Sequence, residues 1–306
     1  MSLKAMIVRI KGNSLDDGPG IRSVVFFKGC PLSCIWCHNP ECISTLQELH
    51  YDPEKCIGCD SCIELCPEKA ISITNPFFVD RSSCSVCMKC ASVCPAAALT
   101  PLGTWLEPRA IVDDVLRDKP FFDNSGGGVT LSGGEPALHL DYSGRLLSIL
   151  KENNIHTLVE TCGHFDLTLF REHLLPFIDT IYIDLKLIDP EEHRRYCGLT
   201  NELILENIVK LHELSRKEKF EILPRVPLVP GITATTNNLT SIARFLQKFG
   251  ITKIELLPYN PLWGEKLYCT GRPDPYSSKH LLRQWMPRED LNKYHRLFAD
   301  YGFHQY

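Results

Sequence analysis

Six runs along the chain are continuously apolar or alternate apolar and polar positions: 23–29, 128–134, 155–161, 180–186, 219–229 and 251–259. Each reads as a buried strand. Between them apolar positions recur at helical spacing over 109–118, 141–153, 167–175, 201–217 and 237–249, the last two opening on Thr200-Asn201 and Asn237-Asn238 as expected caps. Strands alternating with helices predict an α/β fold with a parallel sheet, either doubly wound or curled into an incomplete barrel. Both arrangements put chemistry at the carboxyl ends of the strands. The polar, proline-containing stretch 270–288 reads as a surface loop before a last helix near 289–301.

The alternation is interrupted between about 51 and 100. This stretch divides into similar halves, 56–75 and 84–100, each a cysteine run followed by a short apolar segment, KAISIT or AAALT. The expected organisation is an insert of 51–100 in a larger domain made of 1–50 and 101–306. Both runs, CIGCDSCIELCP and CSVCMKCASVCP, have the C-x2-C-x2-C-x3-C-P spacing of a bacterial two-cluster ferredoxin, in which the fourth cysteine ligates the other run's cluster. The predicted ligand sets are therefore Cys56, Cys59, Cys62 and Cys94, and Cys84, Cys87, Cys90 and Cys66. A third run, GCPLSCIWCHNPE, offers only Cys30, Cys34 and Cys37.

Composition narrows the setting. Of 15 cysteines, all but Cys42, Cys162, Cys197 and Cys269 fall in the three runs, and those four are expected to pack as small apolar residues. Disulfides of an exported protein are the alternative, but tight ligand-like runs fit bound metal in a reducing compartment better. A net charge of −4 and the lack of a Lys/Arg stripe argue against nucleic acid and acidic membranes as partners. No apolar stretch approaches the roughly 20 residues that span a bilayer, and the first residues lack a signal-peptide pattern, so the cytoplasm is expected.

A cluster iron without a protein thiolate is open to a small chelator, such as the amino and carboxylate groups of a methionine moiety. The plainer reading is zinc on three thiols and His38, although His38 follows Cys37 too closely for comfortable sharing of one ion. The loop resembles the cluster loop of radical S-adenosylmethionine (SAM) enzymes, whose three cysteines leave one iron for SAM. The string DGPGIRSVVFFKGCPLSCIWCHNPE (17–41), followed by NSGGGVTLSGGEP (124–136), IYIDLK, PRVPLVPG and ELLPY, is similar to the activating enzymes of glycyl radical enzymes over nearly the whole chain.

That resemblance implies an incomplete (β/α)6, TIM-like barrel with a ferredoxin-like insert, three 4Fe-4S clusters, and a flavodoxin, ferredoxin or other low-potential reductant. It implies reductive cleavage of SAM to methionine and a 5'-deoxyadenosyl radical, which takes a hydrogen from a backbone glycine of a partner enzyme. Gly133 and Gly134 let backbone approach a ligand, and Glu135 is expected to accept from its ammonium group. Trp36, beside Cys37 and His38, can pack on adenine. Glu160 and Thr161, with Asp184, Leu185 and Lys186, are expected around the methionine moiety, some through a monovalent cation, with Arg225 as a carboxylate partner. The family often has His after LLPY where this chain has Asn260, which can still donate and accept. A radical SAM enzyme acting on a small molecule or RNA, and a plain electron-transfer protein, are the competing readings.

Overall fold

In the computed structural model, which describes residues 3–274 and 280–305, the strands are β1 (Ala5–Ser14), β2 (Arg22–Phe27), β3 (Glu48–Tyr51), β4 (Leu99–Leu102), β5 (Thr104–Leu106), β6 (Gly128–Gly133), β7 (His156–Thr161), β8 (Thr180–Asp184), β9 (Glu221–Leu228), β10 (Lys253–Pro258) and β11 (His304–Gln305). Nine form one sheet in the order β11-β10-β9-β8-β7-β6-β2-β1-β5, and β3 pairs separately with β4. The six runs read from the pattern are β2, β6, β7, β8, β9 and β10, adjacent in that order and mutually parallel. Every residue of β2 is buried, as two-sided coverage of a parallel strand requires.

The sheet extends beyond those six strands. β1 adds antiparallel to β2, β5 antiparallel to β1, and β11 parallel to β10. Sequence pattern missed β1 because only Ala5, Met6, Ile7 and Ser14 in it are buried, and β5 and β11 are too short to show a period.

Five helices lie between successive parallel strands from β6 to β10: Leu140–Glu152, Leu167–His173, Pro190–Cys197, Glu202–Ser215 and Thr236–Lys248. The longer ones bury an apolar stripe; on Thr236–Lys248 it is Leu239, Ile242, Ala243 and Leu246, whereas Leu167–His173 buries Phe170 alone. The expected cap of this helix is displaced: Thr235 accepts from the Asn238 amide at 3.2 Å, which frees the Asn238 side chain for another use described below. Asn201 does precede Glu202–Ser215 but makes no side-chain cap. Helices Pro190–Cys197 and Trp263–Cys269 were not anticipated, while the last one, Arg288–Asp300, was. The stretch 270–288 is more than a surface loop: Leu282 is buried and its carbonyl accepts from the Tyr259 hydroxyl at 2.8 Å. The part at 275–279 lies outside the described residues.

A flat sheet would set β2 and β10 about 24 Å apart, five spacings of ~4.8 Å. Yet residues that follow β2 and residues at the end of β10 line one cavity of about 500 Å³, so the sheet is curled around it.

The 51–100 stretch has its own core of Tyr51, Ile71, Phe78, Val79, Cys90 and Leu99, with Leu49. Its internal repeat is visible in the backbone. Short helices Ser61–Leu65 and Lys89–Val93 each follow a left-handed residue, Asp60 or Met88, and each ends at a cysteine whose sulfur accepts an amide four residues on: Ala70 to Cys66 at 3.3 Å, Ala98 to Cys94 at 3.2 Å. Arg81 ties it to the rest of the chain through the carbonyls of Leu49 and Cys269, and Phe77 lies against Tyr268 with ring centroids 5.8 Å apart. Among the described residues no helix is long and apolar enough to cross a membrane.

Candidate active site at the strand ends

Parallel strands of one sheet end at the same edge, so side chains at their carboxyl ends converge wherever the sheet curls. Here they build a ring of charge. The Arg225 guanidinium, on β9, donates to Glu160 of β7 at 2.6 Å and to Asp184 of β8 at 3.3 Å. Asp184 also accepts from Lys186 at 3.1 Å, and Ser132 of β6 donates to Glu160 at 2.5 Å. Two carboxylates and two cations thus balance at the wall of the cavity, their side chains mostly buried, the condition for retaining buried charge.

Burial alone would lower the Lys186 pKa, but Asp184 and then the thiols of Cys34, Cys162 and Cys197 hold it above the ordinary lysine value. Arg225 is likewise raised, burial being outweighed by Glu160 and Asp184. The carboxylates diverge. Burial raises Asp184 but Lys186 and Arg225 reverse this and hold it below the usual range, whereas Glu160, facing Arg225 alone and near Asp17, stays raised by burial.

The three-cysteine loop lines the same cavity. Cys30, Cys34, Trp36, Cys37 and His38 line the same cavity as Gly133, Gly134, Glu160, Thr161, Asp184, Lys186, Arg225 and Asn260. Burial drives the Cys37 thiol well up and lowers His38. The two glycines earn their place through the protein's own backbone: a Cβ on Gly134 would stand 2.1 Å from the Gly29 carbonyl oxygen, and one on Gly133 2.5 Å from the Phe27 amide nitrogen. The SGGEP turn is therefore pressed onto the root of the cysteine loop, and the Glu135 amide donates to Gly29 at 2.7 Å.

Two expected ligand contacts are absent from this lining. Leu185 is buried and turned away, with its amide bound to the Arg225 carbonyl at 2.8 Å. Glu135 is fully buried behind the wall, one oxygen accepting from the Ala137 amide at 3.0 Å, the other from Thr161 Oγ1 at 2.9 Å and the Cys162 amide at 2.8 Å. It braces β6 against β7, and burial raises its pKa. Asn260 lines the cavity, but its Oδ1 already accepts the Leu262 amide at 2.9 Å. Asp16, Ser132, Cys162, Tyr259 and Trp285 also line it and were not anticipated. Ser132 and Cys162 carried a signal, since each adjoins a strand-end residue that was.

In the 51–100 stretch the eight cysteines fall into two groups. Cys56, Cys59, Cys62 and Cys94 line a cavity of about 240 Å³ that Tyr268 also borders. Cys66, Cys84, Cys87 and Cys90 line another. Among the described residues no three His, Cys, Asp or Glu side chains converge as a single metal ion demands.

Comparison with known proteins fits this geometry. The Radical SAM superfamily model matches residues 81–237 and the 4Fe-4S binding domain model residues 49–72, so the class is that of radical SAM enzymes. The trans-4-hydroxy-L-proline dehydratase activating enzyme of Clostridioides difficile is 37% identical over 98% of this chain and 98% of its own length. The isethionate sulfite-lyase activating enzyme of Desulfovibrio desulfuricans is 39% identical over 89% of this chain and 88% of its own. A solved radical SAM methyltransferase from Sphaerobacter thermophilus, 16% identical, shares the fold across 100% of this chain and 77% of its own, with a TM-score of 0.56. The chain belongs to the activating enzymes of glycyl radical enzymes, within the radical SAM superfamily.

Proposed function

We propose that Cys30, Cys34 and Cys37 hold a 4Fe-4S cluster with one open iron, that SAM occupies the adjoining cavity, and that the chain activates a partner enzyme by removing hydrogen from one of its backbone glycines. The observation that carries this is the shared cavity, lined both by the three thiols and by an ordered ring of charge. Cluster and SAM together supply the radical chemistry, in which one electron releases methionine and leaves a carbon radical able to abstract that hydrogen. The chain's own residues bind and orient. Lys186 and Arg225 attract the methionine carboxylate, the backbone of Ser132–Gly134 offers carbonyls to its ammonium group, and Trp36 borders the adenine. Glu160 and Asp184 already neutralise Arg225 and Lys186, and the carboxylate and ammonium of the methionine moiety arrive as a neutral pair; Glu160, Thr161 and Asp184 supply the oxygens that a monovalent cation would take.

Two further 4Fe-4S clusters are proposed, one on Cys56, Cys59, Cys62 and Cys94 and one on Cys84, Cys87, Cys90 and Cys66. The two cysteine-lined cavities support that crossed pairing. Fully thiolate-bound clusters relay electrons, here from a flavodoxin, ferredoxin or similar donor in the cytoplasm. The relatives at 32–39% identity serve enzymes of differing chemistry, so identity at this level does not select the partner.

The test uses candidate partner enzymes with SAM and a reductant under anaerobic conditions. A glycyl radical doublet should appear on the partner by electron paramagnetic resonance, and Cα-deuterated glycine there should pass deuterium to 5'-deoxyadenosine. Label arriving from a metabolite or from RNA instead would replace the activase reading with the small-molecule or RNA one.

A further inference from the structure

The loop from β1 to β2 crosses the inner face of the sheet. Its Asp17 carbonyl accepts from the Thr130 hydroxyl of β6 at 2.7 Å, and a Cβ on Gly18 would stand 2.6 Å from Leu158 of β7. Between this loop and β10 lies a second cavity of about 380 Å³, which Tyr182 of β8 also borders. It shares Asp16, Leu257 and Pro258 with the cavity of the three-cysteine loop, so the two adjoin. The β10 side of this second cavity is incompletely bonded in two respects. Glu255 lines it, and its Oε2 is buried with no hydrogen-bond partner among the described residues, while the guanidinium of its strand neighbour Arg225 is already taken by Glu160 and Asp184. The strand itself is open: among the described residues β11 covers its outer edge only at Lys253 and Ile254, so Glu255–Pro258 pair on one side alone, with β9.

We propose that this second cavity seats the partner's glycine-bearing segment, extended along the free edge of β10 with a backbone N–H donated to Glu255. The proposal rests on the activase reading above. A peptide that leaves water needs its amides and carbonyls bonded elsewhere, and an open strand edge supplies acceptors and donors at the repeat of an extended chain. A buried carboxylate oxygen without a donor is unfavourable, so a segment that brings an N–H to it is held by the relief. Glycine has no side chain to recognise, which leaves its backbone as the group to hold. Leu15, on the loop side of the cavity and 70% exposed, offers an apolar contact to the residues that flank the glycine. A small metabolite carries no row of amides and would leave the strand edge unused.

The experiment uses the reconstituted enzyme with SAM, a chemical reductant and the partner enzyme that the assay above activates. It reads the KM for that partner, the glycyl radical formed per 5'-deoxyadenosine released, and the SAM dissociation constant by equilibrium dialysis. Glu255→Met keeps the volume and removes the acceptor. It should raise the partner KM about tenfold and lower the radical yield per deoxyadenosine, with the SAM constant changed less than about threefold. Glu255→Gln keeps an acceptor oxygen and should recover most of the loss. Leu15→Asp, at an exposed loop position, should raise the partner KM in the same sense, and it decides the matter where Glu255→Met does not fold. KM and yield unmoved in the variants, glutamine behaving as methionine does, or SAM affinity lost in step with the partner KM overturns the proposal. Absence of any glycyl radical with the unaltered enzyme overturns the activase reading itself, an outcome distinct from a radical that forms equally well on the variants.

Discussion

Glu135 separates two roles that one carboxylate can take in such a site. Its three donors, Ala137 N, Thr161 Oγ1 and Cys162 N, all belong to the protein, so the side chain holds the cavity wall in shape from behind. Glu135→Ala strands those donors in a buried place, at about 1–3 kcal/mol each if none finds another acceptor. A loss near 3 kcal/mol lowers Tm by about 5 °C in a chain of this size. Glu135→Gln should lower Tm as well, yet change the SAM dissociation constant less than about threefold, under ~0.7 kcal/mol; a tenfold loss with an unaltered Tm would restore Glu135 as the ammonium acceptor. Asp184 behaves in the opposite sense because it faces the cavity and aligns both cations. Asp184→Asn should weaken SAM binding about tenfold, ~1.4 kcal/mol, in equilibrium dialysis, with the smaller effect on Tm.

At the scale of elements, sequence reading succeeded where period and burial coincide. All six inner parallel strands and the longer helices appear within a few residues of their expected bounds, because those strands are covered on both faces and those helices bury one stripe. It failed at edges: β1 alternates weakly since half of it is exposed or half-exposed, and Trp263–Cys269 follows Pro261 and contains Gly264, both breakers in isolation. Which residues would gather at one cavity was largely legible from chemistry and spacing, but orientation was not. Nothing in the string SGGEP says that its glutamate turns inward, since that depends on donors from β7 far along the chain. Asn238 was seen as a cap and does something else. Its amide donates to the carbonyls of Lys186 at 3.0 Å and Thr233 at 2.9 Å, and its oxygen accepts the Ile188 amide at 3.1 Å, clamping the loop that presents Lys186. Asn238→Leu should lower stability by roughly 2–4 kcal/mol and also raise the SAM dissociation constant, through the loosened Lys186 backbone. Unaltered SAM affinity in a folded Asn238→Leu protein would confine its role to stability.

For the molecule as a whole, the count of metal sites is the decisive number. Three cubane clusters amount to about 12 irons per chain, and replacing Cys30, Cys34 and Cys37 together by alanine should remove about a third. Zinc in place of iron, or loss of all the iron, contradicts the three-cluster reading. The pairing of β3 with β4 permits a cleaner separation. Tyr51 and Leu99 are opposite partners on these antiparallel strands, so residues 52–98 can be replaced by a two-residue Asn-Gly turn that closes a hairpin. The shortened protein should keep about a third of the iron and bind SAM, respond to a chemical reductant, and respond poorly to a protein donor. Equal response to both donors would make the insert structural. The same pairing has a consequence for how such a chain diversifies. A long excursion that leaves and rejoins at a two-stranded ladder separate from the main sheet imposes no strain on the strands of that sheet, and lengthening it costs only the slowly growing entropy of a closed loop. The 51–100 stretch can then be lengthened, rewired or removed in descent while every strand of the main sheet keeps its register, much as a socket can be exchanged without rebuilding the lamp.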